Sequence, residues 1–265
     1  MASAILSVNA GSSSIKFAVY PVQGAGIGDA LLTGACEGLE PQGQARLSWT
    51  WRGHTQTQAL ATTTGDPFDT ALQSLQQRLT ETPDLPELQA VAHRVVHGGE
   101  AFSHSVQVTP EVMAKLGRYN SLAPLHQPHN LAGIRAFAKA FPGLAQIACF
   151  DTAYHATVPA LHSSFALPAS LRRQGVRRYG FHGLSYQFIM GELQQRSDRA
   201  PSRVLMAHLG NGASMSAIRH GHPVDTTMGM TPLEGLVMGT RSGDTDPGLV
   251  LHLHRIIGLS VDEID

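Results

Sequence analysis

The chain has 265 residues, of which 42% are hydrophobic and only 15% charged, enough length for two ordinary domains with buried cores. Its 19 basic and 20 acidic residues leave a formal net charge of −1. That balance gives no electrostatic footprint for nucleic acid or an anionic membrane, so specificity must reside in local sites and the expected partner is small.

Ile5 to Asn9 forms a short β-rich run, Ala10-Gly11-Ser12-Ser13-Ser14 reads as a turn, and Ile15 to Tyr20 alternates with period two. Residues 21 to 65, rich in Gly, Gln and Thr, read as hairpins and loops at one edge. Asp66-Pro67 then offers an N-cap and first-turn proline, followed at helical spacing by Phe68, Leu72, Leu75 and Leu79. Leu88 to Val96 reads as a buried strand running into Gly98-Gly99. Thr109-Pro110 starts a second helix before Val112 and Leu116, and Leu131, Ile134, Ala138 and Phe141 mark a third that stops near Pro142-Gly143. Leu144 to Phe150 is another buried strand, and the first half closes near Phe150-Asp151. Further on, Arg203 to Leu209 reaches Gly210-Asn211-Gly212 and continues as a strand from Ala213 to Ile218, with Asn-Gly as the hairpin signal. Asp246-Pro247 repeats the helix start before Val250, Leu253 and Ile257. All four apolar stripes read as core, and the fold class is α/β.

Polar clusters recur at strand ends and turns: Asn9 to Lys16, His93 to Glu100, Asp151 to His155, Tyr179 to His182 and His208 to Ser214. A sixth centres on Arg241, between Gly239 and Gly243 and beside Thr240, Ser242, Asp244 and Thr245, a setting suited to a phosphoryl group. Each cluster alone also reads as an ordinary turn or a satisfied core polar group; their recurrence where α/β proteins gather ligands is the stronger signal. No Gly-rich turn leads into a helix through Gly-Lys-Ser/Thr or carries a dinucleotide fingerprint, which excludes a P-loop. Fourteen histidines raise the question of zinc, but their spacings argue against a structural site. Cys36 and Cys149 lie in apolar runs, no basic-then-apolar segment opens the chain, and no stretch approaches the roughly 18 to 20 apolar residues of a membrane span. The reduced cytoplasm is the expected setting.

Val8-Asn9-Ala10-Gly11-Ser12-Ser13-Ser14-Ile15-Lys16-Phe17, His93-Arg94-Val95-Val96-His97-Gly98-Gly99-Glu100, Phe150-Asp151-Thr152-Ala153-Tyr154-His155, Arg178-Tyr179-Gly180-Phe181-His182-Gly183, His208-Leu209-Gly210-Asn211-Gly212-Ala213-Ser214 and the Asp225 to Pro247 segment resemble, in order, the motifs of the acetate kinase family. The resemblance implies a duplicated ribonuclease H-like, actin-like ATPase fold. It places an N-terminal actin-like domain at 1–150 and the first part of a C-terminal one at 151–265, the second incomplete. Family members are longer, and the adenosine-binding portion expected downstream is absent from this sequence. His126-Gln127-Pro128-His129-Asn130 departs from the family's His-Asn-Pro-Pro-Asn.

By the same resemblance the reaction is reversible, in-line transfer of the ATP γ-phosphoryl to acetate, giving acetyl phosphate, with Mg²⁺ as the metal and Mn²⁺ as an alternative. Arg94 and Arg241 flank the carboxylate and the transferring phosphoryl. His182 stabilises the phosphoryl rather than attacking it, and Asp151 works through the metal. Asn9 stands at the metal end, with Ser12, Ser14 and Lys16 at the phosphate end. His126 and His208 line the phosphate path, and Gly210, Asn211 and Gly212 approach the nucleotide phosphates. Val96, Leu125, Phe181 and Pro232 form the pocket for the acetate methyl. A homodimer, with no nucleic acid or membrane partner, is implied. Two alternatives stay open: a kinase preferring propionate, and an inactive or weakly nucleotide-binding fragment of such a kinase.

Overall fold

The computed structural model describes residues 3–24, 26–40, 42–61, 66–124, 126–198 and 202–264. The chain divides between Ala153 and Tyr154 into two compact units, three residues beyond the boundary expected from the sequence.

In the first unit, β1 (Ser3–Ala10) and β2 (Ser14–Gln23) form the hairpin expected around the serine turn, with Asn9 opposite Lys16 and Ala10 opposite Ile15. The two-residue β3 (Gly26–Ile27) pairs with the end of β2. The Gly-, Gln- and Thr-rich region extends the sheet as β4 (Leu32–Glu37), β5 (Arg46–Trp51) and β6 (His54–Ala59), all antiparallel. On the other side of β1 lies β7 (Glu87–Val95), parallel to it, then β9 (Ala145–Phe150), parallel to β7, with the short β8 (Val106–Gln107) at the edge. The order β4-β2-β1-β7-β9, three antiparallel strands followed by two parallel to the first, is the ribonuclease H-like arrangement.

Strict alternation on β1 sends Ala4, Leu6, Val8 and Ala10 to one buried face. There they join Ile15, Phe17 and Val19 of β2 and the helices α1 (Pro67–Glu81) and α3 (Gln127–Ala140), with α2 (Pro110–Gly117) packed against α3. Asp66 caps α1 by accepting from the Phe68 amide at 2.9 Å, and Ala71, Leu72, Leu75 and Leu79 form its buried stripe. At about 1.5 to 3 kcal/mol for each fully buried leucine, that stripe outweighs the helix's intrinsic propensity. Both parallel strands end at the same sheet margin, where Arg94, Val96 and Asp151 emerge.

The second unit begins with a 3-10 turn at Tyr154–Thr157, followed by the short helical turns α4 (Ala160–Ser163) and α5 (Ala169–Arg172), then α6 (Gly183–Arg196). An antiparallel meander follows, β10 (Arg203–Leu209), β11 (Ala213–Arg219) and β12 (His222–Thr226), repeating the hairpin device of β1 and β2 with His208 opposite Ser214. Tyr186 and Met190 of α6 pack on Met206 and Ile218 of this sheet. The last elements are α7 (Pro247–His252), continued by a π turn at Leu253–Ile257, and α8 (Val261–Ile264).

The stripe of α7 and its continuation is not core: Val250 is 44% exposed and Ile257 59%. Asp246 does cap α7, accepting from the Gly248 amide at 2.9 Å, so the local start signal forms its helix. Apolar periodicity gives a helix a face; burying that face requires another element against it.

Candidate active site

The first cluster sits where β1 and β7 end and β2 begins. The serine turn is closed by Gly11 N–H donating to Ser14 C=O at 2.8 Å. It borders a cavity of about 270 Å³ whose walls include Asn9, Ser12, Ser14, Lys16, Arg94 and His126. Val96 and His129 also line it. A space walled by hydroxyls, an amide, an ammonium and a guanidinium is built for anionic oxygen.

Arg94 organises this space. Its Nε donates to Asp151 Oδ1 and Oδ2 at 3.2 and 3.1 Å, its Nη2 to Oδ2 at 2.6 Å, and its Nη1 to Asn9 Oδ1 at 3.4 Å. Burial works against the guanidinium charge, but the Asp151 charge and hydrogen bonds outweigh it, so the Arg94 pKa is raised. Asp151 is only 3% exposed and is anchored by its own amide donating to Val95 C=O at 3.0 Å. The carboxylate of Asp151 and the amide oxygen of Asn9 are therefore held within reach of one guanidinium. These hard oxygen donors suit Mg²⁺, which binds through one or two carboxylates and keeps waters and phosphate oxygens for the rest. Among the described residues, no group of three or more His, Cys, Asp or Glu side chains gathers as a metal site.

Two residues outside the expected set hold this margin together. Asn130, in the first turn of α3, accepts from Val96 N–H and donates to Ala10 C=O, both at 3.0 Å. Gln127, fully buried, accepts from His97 N–H at 3.1 Å and donates to His97 C=O at 3.0 Å. They pin the ends of β1 and β7 to one helix start, which fixes where Val96 faces the cavity. Both lie within the His126 to Asn130 segment, but partners 30 and 120 residues away leave no trace in local spacing.

The second cluster is built on the start of α6 and the β10–β11 turn. His182 adopts a left-handed conformation (φ 57°, ψ 20°) as the residue preceding α6. A non-glycine residue held there is a position where the surroundings override backbone preference. Its Nδ1 lies 2.8 Å from Ser214 Oγ, and its ring stacks on His208 with centroids 4.0 Å apart and planes 19° from parallel. His208 Nδ1 is in turn 3.1 Å from Ser185 Oγ.

Gly212 marks the convergence. A Cβ there would lie 3.4 Å from Arg241 Nη1 and 3.5 Å from His182 Nε2, so the imidazole edge and the guanidinium face one small space above a residue without a side chain. Arg241 Nη1 donates to Pro232 C=O at 3.1 Å, which places Pro232 beside the guanidinium. The loop carrying Arg241 is tied to the turn by Gly239 N–H donating to Asn211 C=O at 3.2 Å, and Gly210 N–H donates to Gly212 C=O at 3.2 Å. Phe181 is buried, at 1% exposure, and Leu125 lies outside the described residues. Tyr186 and Ser185 are further members that no sequence signal singles out, and Ser214, the end of the His208 to Ser214 cluster, gains a partner in His182. Tyr186 is four residues after His182, a pairing that becomes visible once α6 is recognised as a helix.

A family model described as the acetokinase family matches residues 4–265. An acetate kinase of Rhodopseudomonas palustris (strain TIE-1) is 46% identical over the whole of this chain and 67% of its own length. Among solved structures, a propionate kinase from Francisella tularensis superposes with a TM-score of 0.89 at 37% identity, covering 99% of this chain and 66% of that one. The acetate kinase of Porphyromonas gingivalis does so with a TM-score of 0.80 at 39% identity, with the same coverage of both chains. The chain thus spans about two-thirds of the length of the relatives it matches.

Proposed function

This chain belongs to the acetokinase family, and we propose that it serves reversible phosphoryl transfer between ATP and a short-chain carboxylate, with acetate as the main substrate. The observation that carries the proposal is the convergence of His182 Nε2 and Arg241 Nη1 over Gly212. Two anions must meet in this reaction, so the protein's task is to neutralise and align them. Donors fixed before the substrates arrive do this without reorganisation cost at the moment of transfer.

In this reading Arg241 and His182 hold oxygens of the transferring group from the second unit. Arg94 supplies positive charge in the first, with Ser12, Ser14, Lys16 and His126 lining the cavity it faces. Asp151 and Asn9 would hold Mg²⁺, which when bound draws charge from the phosphate oxygens. His208 supports His182 through the ring stack, and Gly210, Asn211 and Gly212 bring backbone close to the nucleotide phosphates. His182 acts as a hydrogen-bond donor and not as a nucleophile: the carboxylate attacks phosphorus directly, and the ring's Nδ1 lies 2.8 Å from the Ser214 hydroxyl. Val96 and Leu125 of the first unit, and Phe181 and Pro232 of the second, are each assigned to the substrate methyl. A homodimer in the cytoplasm completes the proposal.

The similarity to a propionate kinase favours propionate as a second substrate. Incubation with ATP, Mg²⁺ and each carboxylate in hydroxylamine traps the acyl phosphate as a hydroxamate. Acetyl hydroxamate forming faster than propionyl hydroxamate is expected; absence of both, with the protein folded, would overturn the reading for this chain.

A further inference from the structure

Below the His182–Arg241 convergence lies a chain of hydroxyls that the phosphoryl-transfer proposal does not use. Tyr186 is 2% exposed, and its Oη lies 2.7 Å from Ser214 Oγ. Ser214 is fully buried, and the same Oγ lies 2.8 Å from His182 Nδ1. Three groups thus share two hydrogen bonds, and only one arrangement of protons satisfies all of them.

Tyr186 has one hydroxyl proton to place. Among the described residues the hydrogen-bond partner of its oxygen is Ser214 Oγ, so the phenol proton finds its acceptor there. Ser214 then has its own proton left, and the acceptor within reach is His182 Nδ1. The opposite order, with His182 Nδ1 donating to Ser214 and Ser214 to Tyr186, strands the buried phenol proton without an acceptor, which is unfavourable in a buried site. We infer that Tyr186 and Ser214 are positioning residues whose hydroxyl relay makes His182 Nδ1 an acceptor and fixes the proton of the neutral ring on Nε2, the nitrogen facing Gly212 and Arg241.

The consequence deepens the proposed function and rests on it. A ring with its proton on Nε2 presents a donor to a phosphoryl oxygen; the other tautomer would present a lone pair and repel it. The relay therefore specifies stabiliser over nucleophile through an i,i+4 contact from Tyr186 to the turn carrying His182, closed by Ser214 on β11. No bond forms or breaks in the relay, and the proton count stays constant.

The test is long-range ¹H–¹⁵N correlation on the chain labelled with ¹⁵N-histidine, at a pH well above the ordinary histidine value of about 6.5. The His182 ring is assigned by its disappearance in His182→Gln. In the unaltered chain the expected result is a protonated Nε2 and an unprotonated Nδ1. In Tyr186→Phe and Ser214→Ala the pattern should become a mixture of tautomers, with kcat for acyl phosphate formation falling tenfold or more and carboxylate KM changing less than twofold. A ring protonated on Nδ1 in the unaltered chain overturns the inference. So does an unchanged tautomer and kcat in Tyr186→Phe, which keeps the ring packing and does not depend on Ser214→Ala folding. The expected tautomer without any hydroxamate product would instead leave the relay standing and remove the phosphoryl-transfer reading.

Discussion

Asp151 receives three hydrogen bonds from Arg94, the shortest 2.6 Å from Nη2, across 57 residues of sequence. The guanidinium is thereby locked at the margin of the first unit's cavity before any ligand arrives. Only a planar fork can give Nε and Nη2 to one carboxylate, so Arg94→Lys keeps the charge but loses the alignment. We expect kcat/KM for hydroxamate formation to fall by about 10³ or more in Arg94→Lys, in line with the effect of single arginines in phosphoryl transfer. A loss under tenfold would mean the fork is not needed. Asp151→Asn should also raise the Mg²⁺ concentration for half-maximal rate, which an Arg94 substitution should do less.

Gly212→Ala separates function from folding. Its methyl would sit at 3.4 to 3.7 Å from Arg241 and His182, ordinary contact that does not force either side chain away. Unfolding midpoints in urea should stay within about 0.5 kcal/mol of the parent, as for substitutions without a clash. Turnover should nevertheless drop at least a hundredfold, because the methyl fills the space where the two donors converge. Unaltered turnover would show that the transferring group does not pass over Gly212.

Gly180 sets the opposite expectation. Its φ is +70°, and a Cβ there would meet His155 Cγ and Thr226 Cγ2, each at 2.7 Å, both in buried surroundings. Gly180→Ala should cost roughly 1 to 2 kcal/mol for the left-handed backbone and a further 1 to 3 for overpacking. Gly53, at φ +80° with nothing within 4 Å of a Cβ, supplies the comparison: Gly53→Ala should show the backbone cost alone. Equal destabilisation of the two variants in urea would refute the packing argument.

His155 makes stability depend on pH. Burial lowers its pKa to about 4, and its Nε2 lies 3.2 Å from Ser216 Oγ, whose own proton goes to Asp225 C=O. The ring therefore donates from Nε2 and stays neutral. Unfolded, it would titrate near 6.5, so between about pH 6.5 and 4 the unfolded chain binds a proton that the folded one does not. Stability is complete above that window and is lost as pH falls through it, by roughly 3 kcal/mol in all. His93, whose pKa is lowered by burial against an opposing bond to Gln146, contributes with the same sign. Urea midpoints measured across the window should fall with pH in the parent and less steeply in His155→Gln.

What the sequence discloses about this fold is what local physics decides. Asp66-Pro67 caps a helix, the serine turn closes a hairpin, and alternation on β1 and β7 picks out the buried face, all within a few residues of the signal. The helix α6 was invisible because His182, not a Ser, Thr, Asp or Asn, precedes it in a left-handed conformation. Its apolar residues also scatter, with Phe188 65% and Ile189 48% exposed. With α6 went Tyr186 and the relay to His182. The exposed stripe of α7 errs the other way, since a pattern records which face is apolar and not what covers it. Motif residues such as Arg94, Asp151 and Gly212 could be picked out singly; that Asn130 ties Val96 to Ala10 follows only from the sheet bringing distant strand ends together.

Val96 offers a handle on substrate size. Its amide is fixed by Asn130, it is 6% exposed, and it lines the first unit's cavity, so truncation should enlarge the space without loosening the strand end. One methylene in an apolar pocket is worth about 1 to 3 kcal/mol, so the unaltered chain should prefer acetate to propionate by roughly ten- to two-hundredfold in kcat/KM. Val96→Ala should shift that ratio toward propionate by about tenfold, mainly by slowing acetate, which loses contact with the wall, while propionate fills the new space. The hydroxamate assay with both acids on both proteins reads this directly. A butyrate rate above that of acetate in the unaltered chain, or a ratio that Val96→Ala leaves unchanged, would remove Val96 from the methyl pocket.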